Sequence, residues 1–330
     1  MNKKNHKFTK NPNFKYKELI INTNTPYGSN DMFEIYTSLK DNRIYIASPN
    51  NVKKVLDIYT LLEHKKIISL KSNEFSGVRY FVNYRNNKEY LVSGERDEDL
   101  IIWDITDNYK IKYKKREGGM CILIFTDNNK DYIITNEGTQ SYTKIYSFNN
   151  CSYISNIKNK KYLQVEYLLP WLNKNDNQYY IIQLTYDGIF INDLLQGKLY
   201  ANLTNYEYGY YYTGFLYNKD NKDYLCVSSK YDSINNDIEI WDLYNKNLSK
   251  VFLLKGYYDI TTIMKWNDKY VLICDFHNKC VKVFDFENEK LITIFKDKNC
   301  IRCTKKLYHP IYGESILTAD ESNAIKLWSV

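Results

Sequence analysis

The sequence predicts an all-β chain of seven four-stranded repeats closed into a ring, and three observations predict it. An aromatic-rich column recurs at Tyr59, Trp103, Tyr146, Asn192, Trp241, Phe284 and Trp328, with steps of 43 to 49 residues. A second column, of tyrosines, runs ahead of the first by 12 to 17 residues at Tyr45, Tyr90, Tyr132, Tyr180, Tyr224 and Tyr270. The last repeat stops just after its third strand, while an unassigned apolar segment stands near the N-terminus. Even spacing at this period is the mark of a repeat architecture.

The elements follow in order. Each tyrosine of the second column opens an apolar run, such as Tyr90-Leu91-Val92 or Tyr132-Ile133-Ile134. Polar clusters precede these runs: Asp41-Asn42-Arg43, Asn86-Asn87-Lys88, Asn128-Asn129-Lys130, Asp220-Asn221-Lys222 and Asn267-Asp268-Lys269. Asn and Asp tolerate the left-handed backbone of tight hairpins, so each cluster predicts a turn between first and second strands. The aromatic-rich column marks the third strand. Apolar segments after it predict the fourth: Lys66–Lys71, Lys110–Lys115, Tyr153–Ile157, Leu199–Leu203, Lys250–Leu254 and Leu291–Phe295. Four short strands per repeat of this length make a blade, and seven blades make a seven-bladed β-propeller. The seventh blade lacks a fourth strand, and residues 17–22 have the apolar core of one. The N-terminal strand is therefore expected to pair with the last blade and close the ring, removing an open sheet edge. This organisation leaves residues 1–16 as a basic tail and 17–330 as one propeller. Composition agrees: the chain has 34 Tyr and only four Ala, and β-branched and aromatic residues suit pleated sheets.

The third strands carry a further sign. Trp103-Asp104 and Trp241-Asp242 are full Trp-Asp dipeptides, Asp193 and Asp285 keep the second half, and Trp328 the first. On these residues, across nearly the whole chain, the sequence resembles the WD-repeat (β-transducin-like) proteins. The chain departs from that pattern in lacking the family's Gly-His pair, whose nearest echo is Gly256-Tyr257. The resemblance implies a scaffold or adaptor whose partners dock on the face formed by inter-blade links and the loops between second and third strands.

Charge and cysteines narrow the setting. The net charge of +7 is mild for 330 residues, and its most basic stretch is the tail, from Lys3 to Lys17. That tail is interrupted by polar residues throughout, unlike a signal peptide, and no apolar run approaches the ~18 residues of a membrane span. Seven cysteines, mostly inside apolar runs, point to a reduced intracellular protein, cytoplasmic or nuclear.

No residue set assembles a familiar chemistry. His6, His64, His277 and His309 have no metal-ligand spacing and read as loop or surface residues. Gly118-Gly119 lacks the surroundings of a phosphate loop and reads as a tight link between the second and third blades. Cys300 and Cys303 form a Cys-x-x-Cys without a second pair or a helix start, so they read as buried or half-buried thiols. No cofactor and no metal is expected, and no nucleophile, base and orienter are grouped. The chain is read as a non-catalytic platform, in the form of a monomer or a subunit of a larger complex. An enzyme with a site in the central channel is the alternative from another class.

The inter-blade links are unusual in being rich in Tyr and Arg, residues that supply large contact area with a polar tip. The candidate partner-binding residues are Arg79, Tyr208, Tyr210, Tyr211, Tyr258, Asp259 and Arg302, and the expected partner is a protein or peptide segment. The basic tail and the run Lys110 to Arg116 offer a nucleic-acid or anionic-surface alternative. Outward lysines on an outermost strand are equally a device against edge-to-edge aggregation.

Overall fold

The computed structural model of the chain describes residues 15–22, 33–50, 52–71, 75–95, 99–116, 119, 121–136, 142–159, 164–204, 210–230, 236–254, 259–322 and 324–329. The first strand is β1 (Lys15–Asn22). Blade 1 is β2 (Glu34–Thr37), β3 (Ile44–Asn50), β4 (Val55–Thr60) and β5 (Lys66–Lys71). Blade 2 is β6 (Phe75–Asn83), β7 (Lys88–Glu95), β8 (Leu100–Asp104) and β9 (Lys110–Lys115). Blade 3 is β10 (Cys121–Asp127), β11 (Lys130–Asn136), β12 (Tyr142–Ser147) and β13 (Tyr153–Lys158). Blade 4 is β14 (Val165–Asn173), β15 (Gln178–Thr185), β16 (Gly188–Asp193) and β17 (Leu199–Leu203). Blade 5 is β18 (Tyr210–Lys219), β19 (Lys222–Lys230), β20 (Asn236–Asp242) and β21 (Asn247–Leu254). Blade 6 is β22 (Ile260–Lys265), β23 (Tyr270–Asp275), β24 (Cys280–Asp285) and β25 (Lys290–Lys296). Blade 7 is β26 (Ile301–His309), β27 (Gly313–Asp320) and β28 (Ala324–Ser329), with β1 as its outermost strand. Every pairing is antiparallel, and β1 lies against β28 from Lys15↔Ser329 to Asn22↔Ala324. The molecule is a seven-bladed β-propeller closed by its N-terminal strand.

A sheet buried on both faces must share each face with a neighbour, and the core divides accordingly. Seven apolar clusters fill the seven seams between consecutive blades. The closing seam joins Phe33, Ile44, Ile46 and Leu61 of blade 1 to Cys303, Leu317, Ala319, Ile325 and Leu327 of blade 7.

The two sequence columns are the two sides of these seams. Tyr45 of blade 1 packs in the same cluster as Trp103 of blade 2, Tyr90 with Tyr146, Tyr180 with Trp241, and Tyr224 with Phe284. The tyrosines face the following blade and the aromatic-rich column the preceding one. Four of the six tyrosines also lie against an aromatic ring directly across the first hairpin. Tyr36/Tyr45, Phe125/Tyr132, Trp171/Tyr180 and Tyr217/Tyr224 have ring centroids 5.4, 5.4, 5.5 and 5.3 Å apart. Such cross-strand pairs are the unit of sheet stabilisation. Asn192 breaks the column, and there the seam is polar. Its amide donates to Gln183 Oε1 at 2.9 Å, and Gln183 reaches back to Thr143 at 2.6 Å and Asn159 at 3.0 Å in blade 3.

The Asp that follows the column has its own physical reason. Its carboxylate caps the turn between third and fourth strands by accepting backbone N–H groups. Asp104 accepts from Asp107 at 3.1 Å, Asp242 from Tyr244 and Asn245 at 3.0 and 2.9 Å, and Asp285 from Glu287 and Asn288 at 3.1 and 3.0 Å. The predicted hairpin turns also appear: Asn42, Asn87, Asn128, Asn129, Asp220 and Asn221 all hold positive φ, between 46° and 62°. At the seam of blades 2 and 3, a Cβ on Gly94 would lie 2.4 Å from the carbonyl oxygen of Gly119. The glycines there serve close approach of two backbones, consistent with a tight link.

Buried charges replace part of the core in the last two blades. Lys282 donates to Asp275 at 2.8 Å, and Lys326 sits between Asp297 at 2.6 Å and Asp320 at 2.7 Å. Lysines 282 and 326 occupy the same repeat position, two residues ahead of the aromatic-rich column.

Candidate functional site at the mouth of blades 4 to 7

The innermost strands of consecutive blades meet around the axis of the ring, from β2 with β6 through to β22 with β26, and Lys305 of β26 reaches Glu34 of β2. Among the described residues, the register slips by one residue at the head of the innermost strand in five blades. The slips lie between Phe75 and Gly77, Val165 and Tyr167, Tyr211 and Thr213, Ile260 and Thr262, and Ile301 and Cys303. The extra residues are Ser76, Glu166, Tyr212, Thr261 and Arg302. A β-bulge leaves one residue outside the ladder and re-aims its side chain. These heads lie beside the ends of the second strands, so the bulges sit on the face of the inter-blade links and second-to-third-strand loops. An acid, a phenol, a hydroxyl and a guanidinium thus stand at equivalent positions on four consecutive blades.

Around them the described residues form a continuous line. Tyr186, in the turn between β15 and β16, lies across the edges of Tyr210 and Tyr212 of β18. Its ring is 5.0 Å from Tyr210 at 82° and 5.8 Å from Tyr212 at 89°. Tyr210 and Tyr212 are near parallel, 6.4 Å apart at 27°. The Tyr186 hydroxyl donates to the Glu166 carboxyl, which Gln164 also contacts. Burial raises the pKa of Glu166 above the ordinary carboxyl value, and these two hydrogen bonds offset only part of that. Burial, followed by the charges of Asp259 and Glu166, pushes Tyr212 up to about 12. Asp259 then continues the line, with Lys230 Nζ at 2.7 Å and His277 Nε2 at 3.0 Å. His277 packs edge-on against Phe276, and the Arg302 guanidinium lies 5.9 Å from the Phe276 ring centroid.

The expected partner-binding residues divide into four groups. Tyr210, Asp259 and Arg302 come together on this line. Tyr211 does not: it is fully buried in the seam of blades 4 and 5. Strand alternation carries its ring inward while Tyr210 and Tyr212 face the mouth, so Tyr211 offers no surface to a partner. Arg79 lies apart, four residues into β6, where its guanidinium is 3.8 Å from Glu34 of β2 and Lys305 of β26 meets the same carboxylate at 3.7 Å. Tyr208 and Tyr258 lie outside the described residues. The structure adds Glu166, Tyr186, Tyr212, Lys230, Phe276 and His277. Glu166, Tyr212, Thr261 and Arg302 recur every 41 to 49 residues, a third column that repeat spacing alone could have exposed.

The other sequence features resolve into packing. Cys303 is buried in the closing seam, whereas Cys300 is partly exposed and its thiol bonds Glu321, so the two sulfurs serve different surroundings. His309 is buried, and its Nδ1 accepts the backbone N–H of Ile311 at 3.1 Å, so it is a turn cap rather than a surface residue. On the lysine-rich β9, Lys112 lies 4.5 Å from the Tyr90 ring centroid, Lys115 4.5 Å from that of Tyr146, and Lys114 pairs with Asp99 at 2.8 Å. On the opposite face, a cavity of about 460 Å³ opens between blades 5 and 6, floored by Phe215, Tyr217, Phe252 and Phe286.

The chain is similar in fold to the propeller of BBS1N in two crystal structures of BBS1N in complex with ARL6DN, one soaked with lead and one with mercury. The first match has a TM-score of 0.69 and 11% identity over 93% of this chain and 94% of that one. The second has the same TM-score and identity over 95% and 97%. At this identity the likeness is one of fold. No protein-family profile matches the chain, and no curated protein sequence matches it.

Proposed function

We propose that this chain is a non-catalytic propeller of the WD-repeat type that binds a protein segment across the mouth of blades 4 to 7. The recurrent bulge carries the reading. It turns Glu166, Tyr212 and Arg302 out of the ladder on one face, where they join Tyr186, Tyr210, Asp259 and Phe276. Aromatic rings and Arg beside a half-buried ion pair, Lys230 with Asp259, are the composition of energetic anchors in interfaces. The matched BBS1N structures are themselves complexes with a partner, which is compatible with protein binding. The Trp-Asp dipeptides, with their Asp-capped turns, support the WD-repeat reading.

Cysteine chemistry points the same way. Burial raises the pKa of Cys151 and Cys280 to about 11 and of Cys274 to about 12, which holds them as thiols rather than nucleophilic thiolates. Cys151, Cys226, Cys274, Cys280, Cys300 and Cys303 are all thiols, which fits a reducing compartment such as the cytoplasm or nucleus. The cation–π and ion-pair contacts of Lys112, Lys114 and Lys115 tie those side chains to the chain itself, which favours a protein partner over a nucleic acid.

Affinity capture from native extract tests the proposal. The chain with Tyr210→Ala and Arg302→Ala together should lose a partner that the parent chain retains, at unchanged thermal stability. Equal capture by both chains would refute binding at this mouth.

A further inference from the structure

We propose that the hollow between blades 5 and 6, a site separate from the mouth, binds a small planar aromatic anion of the aromatic carboxylate class. The hollow has a cause in the sequence. In blades 1 to 6 the fourth strand slips by one residue against the third, and the extra residue is Ile67, Lys112, Ile154, Tyr200, Ser249 or Ile292. In blade 4 the ring of Tyr200 lies 5.8 Å from that of Trp171, and in blade 2 Lys112 lies 4.5 Å from the Tyr90 ring centroid, so each covers its seam. Blade 5 has Ser249 there, the smallest of the six, and Ser249 lines the hollow. The inner strand adds to the shortfall. The position of Trp171, opposite Tyr180, is held in blade 5 by the smaller Tyr217, opposite Tyr224. Trp171 is buried, whereas Phe215, Tyr217, Tyr224 and Phe286 are only partly buried and border about 460 Å³ of open space. That volume is within the range of small-molecule sites.

The lining specifies the ligand. Rings supply the walls: Phe252 and Phe286 are stacked 5.1 Å apart at 15°, and Tyr217 and Tyr224 5.3 Å apart at 20°. A flat aromatic guest continues such stacks and makes ring contacts that an aliphatic one lacks. The rim supplies charge. Lys219 and Lys250 stand on the blade 5 side and Lys265 and Lys269 on the blade 6 side, against two lining carboxylates, Asp268 and Glu287. Each lysine has a carboxylate neighbour: Lys219 has Glu287 at 3.4 Å, Lys265 has Asp268 at 2.6 Å, Lys269 has Asp285 at 3.8 Å, and Lys250 has Glu289. In the pairs of Lys219, Lys250 and Lys265 the lysine is the less exposed member, most clearly at 38% for Lys265 against 101% for Asp268. Exposed pairs contribute little to stability, so these ammonium groups turn to an arriving anion at small cost. The Tyr217 hydroxyl has no hydrogen-bond partner among the described residues, and burial raises its pKa, so it remains a proton donor. A cationic ligand would meet four ammonium groups, and a neutral apolar one would leave them and that hydroxyl unused.

The test uses the full chain at pH 7 and three probes: indole-3-acetate, its neutral amide indole-3-acetamide, and the non-aromatic anion cyclohexylacetate. Ligand-observed NMR should show indole-3-acetate binding about tenfold more tightly than either of the others. Lys219→Gln with Lys265→Gln, two changes at the rim, should bring indole-3-acetate down to the level of its amide with the fold intact. Ser249→Tyr rebuilds the cover that Tyr200 gives the neighbouring seam, and should abolish binding of indole-3-acetate at unchanged or raised thermal stability. The inference is overturned if indole-3-acetate does not bind the parent chain, or if the three probes bind equally. It is overturned as well if the preference survives the paired lysine change, or if indole-3-acetate still binds the Ser249→Tyr chain.

Discussion

At the scale of single residues, two buried charges have opposite consequences for stability. Burial disfavours the Asp320 carboxylate. Hydrogen bonds from Lys326, Ser322, Asn299 and the Ala324 N–H outweigh that and hold its pKa below the usual value. A depressed carboxyl contributes stability above its unfolded pKa and loses it as pH falls through the folded one. Lys326→Met should therefore cost about 3–5 kcal/mol at pH 7, because it strands Asp297 and Asp320 together. Urea denaturation at pH 7 and pH 4 checks this, and the variant should recover part of its loss at the lower pH as the stranded Asp320 carboxyl protonates. Glu166 behaves in reverse. Its raised pKa means the folded chain holds that proton longer than the unfolded one, so folding loses stability as pH rises from the ordinary carboxyl range. Tyr186 and Gln164 hydrogen-bond its carboxyl, and Tyr212 lies within its field. Glu166→Gln should then melt at or above the parent's midpoint at pH 7, with the gap closing near pH 4. A residue whose replacement raises stability is one that folding does not require.

At the scale of elements, β18 shows both what patterning reveals and what it hides. Five blades pair their inner strands with a one-residue slip, and a slip is a relation between two strands that no single strand displays. The aromatic column and the tyrosine column were legible because each is a seam position repeated in sequence. The tyrosines at 210, 211 and 212 were not separable, because all three are the same residue and only alternation decides which face each takes. Tyr211→Ala should open a cavity in the seam of blades 4 and 5 and cost about 3–5 kcal/mol, whereas Tyr210→Ala should change stability by less than about 0.5 kcal/mol. Denaturant midpoints of the two variants measure that contrast. The seam of blades 2 and 3 offers a second check on an element. Gly94→Ala places a methyl group against the Gly119 backbone and should destabilise by about 1–3 kcal/mol through overpacking.

At the scale of the whole molecule, ring closure was readable from an arithmetic remainder: seven third strands, and a seventh blade one strand short. The structure supplies that strand as β1 on β28. Removing residues 1–22 should leave β28 as an open edge, and open edges recruit further strands. Light scattering should then show concentration-dependent association that the parent chain lacks. The functional face was only half legible. Link composition drew attention to Tyr210, Asp259 and Arg302, but Glu166 and Tyr186 acquire meaning only once blades 4 and 5 are side by side. The lysines of β9 looked outward in sequence, yet two of them lie over the rings of the aromatic columns. The central claim is that partners meet the mouth of blades 4 to 7 rather than the opposite face. A photo-crosslinking phenylalanine analogue placed at Tyr210, or at the 81%-exposed Tyr84 in the hairpin turn of the opposite face, tests it in native extract. A covalent partner adduct from position 210 and none from position 84 is the predicted result; an adduct from position 84 with none from position 210 would contradict it.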